Sequence, residues 1–378
     1  MRVRDVQHPV LPQATADELS RQRAVVSLRK LLNMRVRSQN VRRFAEEGAP
    51  AFAERHGRQP QSPEDIEEAL FASTDYRLWS AANRASQEMI WVAVGEPIFR
   101  DRARMEAAAD ALATSPNRNG SLTLAPDYDP SPEIAGTDVH LQPGGYARDD
   151  HPGDVVAGAF YETGGNVFSF GQGAGKGDSK AGVVFRLLDQ DFPDLAPGKI
   201  LDLGCSAGAA SAAYADRFPD AEVHAIDIGA GMLRYAHARA EALGVAVHFH
   251  QMDAADLRFA DDSFDLVVSH NMLHEIGADK RRAAMREALR VVRPGGVVIF
   301  QDVDTRFAPS EVHRVEKNWD TRFNGELFWK IYNDADLQAD MIVAGFDAAV
   351  VREHHVEAVN NINRWYVISG RKPAGAEA

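Results

Sequence analysis

Ile200-Leu201-Asp202-Leu203-Gly204-Cys205-Ser206-Ala207-Gly208 is an apolar strand that ends in an acid and then breaks into a glycine-containing turn opening a small-residue helix. Glycine lets backbone approach a ligand closely, and the free N–H groups at the start of the next helix can hold a carboxylate or phosphate. A second strand, 222–226, ends in Asp227, 23 residues beyond Gly204. At that spacing an acid can reach a ribose hydroxyl in a doubly wound fold, so the turn reads as a nucleoside cradle.

Glycine spacing discriminates between nucleoside ligands. A dinucleotide fingerprint beginning at Gly204 needs glycine at 206 and glycine or alanine at 209. This chain has Ser206 and Ala209, with its next glycine at 208. The segment instead resembles motif I of the class I S-adenosylmethionine-dependent methyltransferases, in which an acid is followed by glycines two, four and six positions on. Asp202, Gly204 and Gly208 fit that pattern, and Ser206 stands where the middle glycine would be.

The resemblance runs from about 200 to 370. Asp227 matches the acid that holds the cofactor ribose, and Met252-Asp253-Ala254, after a short strand at 246–250, matches the acid that contacts adenine. Residues 259–268 look like the family's fourth-strand segment, Arg293-Pro294-Gly295-Gly296 like the turn before its fifth strand, and 364–372 like its terminal strand. The resemblance implies an α/β fold with a doubly wound, mostly parallel seven-stranded sheet and S-adenosyl-L-methionine as cofactor. It assigns cofactor contacts to Asp202, Gly204, Ser206, Gly208, Asp227, Ile228, Met252, Asp253, Ala254 and Ser269.

The first half is different in kind. Thr15-Ala16-Asp17-Glu18 fits a capping box, and Val25, Leu28, Leu32 and Val36 recur at helical spacing, which predicts a helix over about 16–47. Ser62-Pro63-Glu64-Asp65 opens another. A third carries Tyr76, Trp79, Asn83, Ser86 and Ile90 on one side, and a fourth follows Pro97 as far as Ala113. Over 115–150 the helical period gives way to Pro, Gly, Asn and Asp, the composition of a linker or of a loop packed near the site. Two domains are expected: a helical N-terminal domain and loop over 1–150, giving substrate contacts and possible oligomerisation, and a cofactor-binding domain over 151–378.

Composition narrows partners and compartment. The chain has 378 residues, 45% hydrophobic and 26% charged, and no apolar run approaches the ~20 residues needed to span a bilayer. The N-terminus lacks the apolar core of a signal peptide, so the expected location is cytoplasmic. Cys205 is the sole cysteine, which excludes an internal disulfide and a multi-thiolate zinc site. Net charge is −13, but residues 1–60 hold 12 Lys and Arg against 6 Asp and Glu, leaving −19 for the rest. That acidity opposes nucleic-acid binding and leaves a small-molecule acceptor. A homo-oligomer, expected to be a dimer, would cover the apolar stripes of the helical half.

Methyl transfer from a sulfonium requires alignment of the acceptor, and a base only where the acceptor must lose a proton. Ser269-His270-Asn271-Met272-Leu273-His274-Glu275, at the end of the fourth strand, occupies the position from which the resembled family faces the transferring methyl. His270 is the expected catalytic base, because histidine titrates near neutrality. Substrate contacts are expected from His140, Tyr146, Tyr161, Asn271, His274 and, in an aromatic insertion over 304–333, Trp319, Arg322 and Phe323. His270 and His274 are four apart with Glu275 adjacent, but no H-E-x-x-H pattern follows, so no metal is expected. O-methylation is the first reading and C-methylation of a quinone-like or other small molecule the alternative. From other classes come a nicotinamide-dependent oxidoreductase, opposed by Ser206 and Ala209, and a non-catalytic cofactor-binding partner subunit.

Overall fold

Every residue of Phe264–His270 is buried, and a strand hidden on both faces needs helices above and below it. The computed structural model describes residues 7–170, 179–304, 308–357 and 364–373. It contains the strands β1 (Ser121–Thr123), β2 (Lys199–Leu203), β3 (Glu222–Asp227), β4 (His248–Gln251), β5 (Phe264–His270), β6 (Val292–Val303), β7 (Arg352–Glu357) and β8 (Arg364–Arg371). They form one sheet in the order β1-β4-β3-β2-β5-β6-β8-β7. All pairings are parallel except those of β8, which runs antiparallel to β6 and β7. The doubly wound sheet is thus present. Its order reverses between β2 and β5, which opens a crevice at the carboxyl ends of the central strands.

The sheet has an eighth strand, drawn from the 115–150 stretch. β1 pairs with the edge of β4 because Gly120 has no side chain: a Cβ there would sit 2.1 Å from the Val247 carbonyl oxygen. The turn at 293–296 lies within β6, where the register against β5 jumps between Phe264 and Leu266.

The helical half departs from its predicted boundaries in two places. Helix Ala16–Lys30 starts at the Thr15–Glu18 capping box, then continues through two wide π turns and shorter helical pieces to Ala49–His56. The two helices expected on either side of Pro97 are a single 40-residue helix, Thr74–Ala113. Proline has no N–H for the carbonyl one turn back, normally a kink or a break. Here the Ala93 carbonyl accepts Gln22 Nε2 at 3.2 Å instead, so the adjoining helix supplies the missing donor.

Ile90, Trp91, Val94 and Ile98 of the long helix share a core with Val156 and Phe160 of helix Val156–Phe168 and with Met232 and Tyr235 of helix Ala230–Ala242. The helical half is therefore fused to the sheet layer by apolar packing. Helix Val156–Phe168 links the two, with close crossings at Gly164, where a Cβ would lie 2.3 Å from Trp91 Cζ3, and at Gly158, where a Cβ would lie 2.3 Å from the Tyr235 Cβ. Gly158→Ala should cost about 1–3 kcal/mol through overpacking. Urea unfolding checks this, and unchanged stability would mean that the crossing relaxes freely.

Candidate active site

The carboxyl ends of β2, β3 and β5 open onto a cavity of about 1110 Å³. Gly204 (φ 68°) begins the turn after β2, and a Cβ on it would come within 2.9 Å of Met272 Cγ. Gly208 (φ 72°) caps helix Ala209–Arg217. Ser206, at the missing middle glycine, still adopts a left-handed φ of 49°. Two backbone donors hold that turn to β3: the Ser206 N–H reaches Asp227 Oδ2 at 2.9 Å, and the Gly229 N–H reaches Asp227 Oδ1 at 3.0 Å. Asp202, fully buried, accepts the Ser211 hydroxyl at 2.6 Å. Burial raises the Asp227 carboxyl above its ordinary range and pushes the Cys205 thiol well up, which keeps that lone cysteine inert.

Asp202, Gly204, Ser206, Asp227, Ile228, Met252, Asp253 and Ala254 all line this cavity. Each carboxylate oxygen has more than one lone pair, so Asp227 retains acceptor capacity for hydroxyl groups while it holds the turn. Asp253 is likewise tied, to the Ala255 N–H at 2.9 Å and to Lys280 at 2.5 Å. Glycine-tight backbone beside two strand-end acids fits a nucleoside with a ribose diol. Gly208 and Ser269 do not line the cavity. Gly208 acts through its backbone, and Ser269, 1% exposed, precedes His270 on β5, where successive side chains face opposite sides.

His270 does line the cavity, but its surroundings contradict the expected role. Its Nε2 lies 3.2 Å from the Tyr214 hydroxyl and its Nδ1 3.1 Å from Gln301 Oε1, so both ring nitrogens are already engaged. Burial depresses its pKa to about 3, against a smaller opposing effect of the Gln301 hydrogen bond. An imidazole of that acidity is a poor base at neutral pH.

The opposite wall comes from the loop of the helical half, from helix Val156–Phe168 and from the segment after β5. His140, Tyr146, Tyr161, Asn271 and His274 line it as expected. His140 has the left-handed φ of 53°, unusual for a non-glycine residue, and Trp91 Nε1 pins its carbonyl at 2.7 Å. His140 Nδ1 faces Glu326 Oε1 at 2.6 Å and its Nε2 faces Glu275 Oε1 at 3.3 Å. Burial disfavours the charged imidazole, yet Glu326 and Glu275 together raise it to about 10. His274 Nδ1 lies 2.5 Å from Asp302 Oδ1, and its Nε2 lies 3.4 Å from Glu275 Oε1. His140, His274, Glu275 and Glu326 each offer an atom within 4.8 Å of the others, a grouping of possible metal ligands that the sequence pattern did not show.

Trp319, Arg322 and Phe323 lie outside the cavity. Trp319 and Phe323 pack with Tyr76 and Trp79 in a separate apolar cluster, Trp319 Nε1 donates to Ser80 at 2.7 Å, and Arg322 pairs with Glu67 on the exterior at 2.9 Å. The insertion contributes Asn324, Glu326, Phe328 and Trp329 instead. Arg29 was also missed: it lines the cavity 4% exposed, with its guanidinium 4.8 Å over Phe168 and one hydrogen bond, to Ser86 at 3.3 Å. No local pattern distinguishes Arg29 or Glu326 in the sequence, since each is a single polar residue far along the chain from its neighbours in space.

Residues 200–296 match the family described as a methyltransferase domain. The chain is 32% identical over 169 residues to a malonyl-[acyl-carrier protein] O-methyltransferase of Halorhodospira halophila, covering 43% of this chain and 54% of that protein. It is 34% identical over 158 residues to a protein of the same name from Dechloromonas aromatica, covering 39% and 56%. Over 110 residues it is 33% identical to phosphoethanolamine N-methyltransferase 1 of Arabidopsis thaliana, covering 29% and 22%. The chain spans about half the length of the first two of these relatives. It carries a class I S-adenosylmethionine-dependent methyltransferase domain.

Replacing His270 should disturb folding more than chemistry. His270→Ala removes the hydrogen bonds to Tyr214 and Gln301 and leaves a void, for a loss of about 2–4 kcal/mol. The unfolded chain takes up a proton at ~6.5, whereas the folded chain refuses it down to about pH 3. This residue's contribution to stability is thus full above pH 6.5 and is lost as pH falls from there toward 3. Denaturation across that range should show a shallower acid decline in His270→Gln than in the parent. A normal decline in the variant, or a 10²–10⁴-fold loss of turnover without loss of stability, would restore the base assignment.

Proposed function

We propose that this chain transfers a methyl group from S-adenosylmethionine to an oxygen of a small acceptor that carries an acidic group. The observation that carries this reading is the continuity of one cavity from the turn at Gly204 and Asp227 to a polar wall containing Arg29. Burial lowers the Arg29 pKa only to about 10, so the guanidinium stays charged; Asp320, on the same cavity, attracts it, but no ion pair within 4 Å is formed with a carboxylate among the described residues. A buried cation left in this way favours an anionic group on the ligand. Two relatives named for O-methylation support oxygen as the acceptor atom, while no side chain in the cavity specifically favours carbon.

In this reading Asp227 holds the ribose hydroxyls, Asp253 and Met252 flank the adenine, and Ile228 packs beside it. When bound, the cofactor supplies an activated methyl on a sulfonium. The residues of this chain position both partners and exclude water. No described helix is long and apolar enough to cross a membrane. Leu78, Met89, Val92 and Phe99 are exposed apolar residues along the long helix, which supports the further reading of a homo-oligomer, with the dimer the simplest form.

Calorimetry with S-adenosylhomocysteine and with NAD tests the cofactor, and label transfer from methyl-labelled S-adenosylmethionine to a panel of hydroxy acids and neutral alcohols tests the reaction. Asp227→Ala should weaken S-adenosylhomocysteine binding by about 1.5–3 kcal/mol, or roughly ten- to a hundredfold. Unchanged affinity in a folded variant removes the ribose assignment. Tight NAD binding, or label on neutral alcohols alone, overturns the corresponding part of the proposal.

A further inference from the structure

Two imidazoles converge on one carboxylate oxygen in the wall opposite the cofactor turn. His274 Nδ1 donates to Asp302, a fully buried acid that also accepts the Leu273 N–H at 2.8 Å and the Val303 N–H at 2.6 Å. His140 Nδ1 lies 2.6 Å from Glu326 Oε1, in a side chain 1% exposed, and 3.3 Å from Asn324 Nδ2. Each ring thus has its Nδ1 turned toward a buried carboxylate and its Nε2 turned inward, at 3.3 Å and 3.4 Å from Glu275 Oε1. A carboxylate behind a histidine fixes the tautomer in which Nε2 is a free lone pair, the usual support of a metal-bound histidine. Ligands ~2.1 Å from a tetrahedral ion lie about 3.4 Å apart, and slightly closer around an octahedral one, so the spacing of both Nε2 atoms from Glu275 suits coordination to one ion.

Charge leads to the same site independently. Glu275, Glu326 and Asp302 bring three carboxylates to two imidazoles in a wall where Glu326, Asp302 and His274 are almost wholly buried. The two imidazoles are the groups set against these three carboxylates, so a divalent ion held between them would supply positive charge where the acids converge. The second oxygen of Glu326 is buried and has no hydrogen-bond partner among the described residues. Tyr146 contributes a hydroxyl to Glu275 Oε1 at 3.0 Å, which steadies the third ligand without adding charge.

We propose that His140, His274 and Glu275 bind one divalent first-row transition-metal ion, with Asp302 and Glu326 orienting the two histidines. Two nitrogens and one carboxylate leave positions open on such an ion, and nitrogen and oxygen donors of this kind suit zinc, iron, cobalt or manganese rather than magnesium or calcium. His140, His274 and Glu275 all line the cavity, so an acceptor held there would reach the open positions. Met272, two residues before His274, packs against Gly204 of the cofactor turn, so the ion lies within the same cavity as the cofactor site. The ion would hold an acceptor through adjacent oxygens, as in a catechol or a 2-hydroxy acid, and lower the pKa of the oxygen to be methylated. That last role rests on the function proposed above, whereas the ion site does not.

Purified full-length chain, stripped with chelator and titrated with Co²⁺ and Zn²⁺, provides the test. Uptake of a single ion per chain with visible Co²⁺ absorption is expected, together with a higher melting temperature. His274→Ala and Glu275→Gln should abolish uptake. Asp302→Asn and Glu326→Gln, positioning variants, should retain the absorption but bind 10–100-fold more weakly. Circular dichroism identifies variants that have merely unfolded. A folded parent that takes up neither ion, or Glu275→Gln and His274→Ala variants that bind Co²⁺ as tightly as the parent, would overturn the site and leave a proton-neutralised cluster. Co²⁺ uptake without S-adenosylhomocysteine binding would instead sink the proposed function and leave the metal site standing.

Discussion

The Asp227 carboxylate is the constraint on which the cofactor half of the cavity depends. By accepting the Ser206 and Gly229 N–H groups, it ties the turn after β2 to the end of β3 and keeps Ser206 in a backbone conformation that glycine would take more readily. A serine at that point costs local strain, and the two backbone hydrogen bonds that the Asp227 carboxylate accepts offset it. The same carboxylate faces the cavity. Structural support of the turn and readiness to accept a ligand hydroxyl thus reside in one side chain.

A second organising acid, Asp302, lies at the end of β6. It collects the backbone N–H groups of Leu273 and Val303 and the imidazole of His274, so the segment after β5 is drawn onto the end of the neighbouring strand. His270, one turn earlier, is claimed instead by Tyr214 and Gln301. Two histidines four residues apart therefore have opposite chemistry. One is locked neutral within the sheet, while the other is held against acids and presents its remaining nitrogen to the cavity.

The helical half matters because it completes that wall. His140, Tyr146 and Arg29 reach the cavity only because the long helix and helix Val156–Phe168 pack as one apolar layer against helix Ala230–Ala242. Glycine at 158 permits the close crossing, and Gln22 lets the long helix run past Pro97 without a break. The donor comes from another helix, which explains why a proline that ends a helix in local reasoning does not end this one.

Much of the cofactor side was legible in the sequence because its signals are local and periodic: an acid at the end of each of three strands, glycines where the backbone must turn left-handed, and apolar runs of strand length. Asp202, Gly204, Asp227 and Asp253 lie within a few residues of the motif that announces each of them. The acceptor side was not legible in that way. His140, His274, Glu275 and Glu326 come from segments up to about 190 residues apart, and neither composition nor spacing records that they meet. Likewise, Trp319 and Phe323 look like a ligand wall in sequence but satisfy the apolar face of the long helix. The sequence by itself determined the sheet, its turns and the strand-end acids that meet at the cavity, because backbone sterics and strand periodicity act over a few residues. Only the tertiary structure decided which histidine is silenced by burial and which is aimed into the cavity, because a side chain's charge state and direction depend on partners brought in by long-range packing.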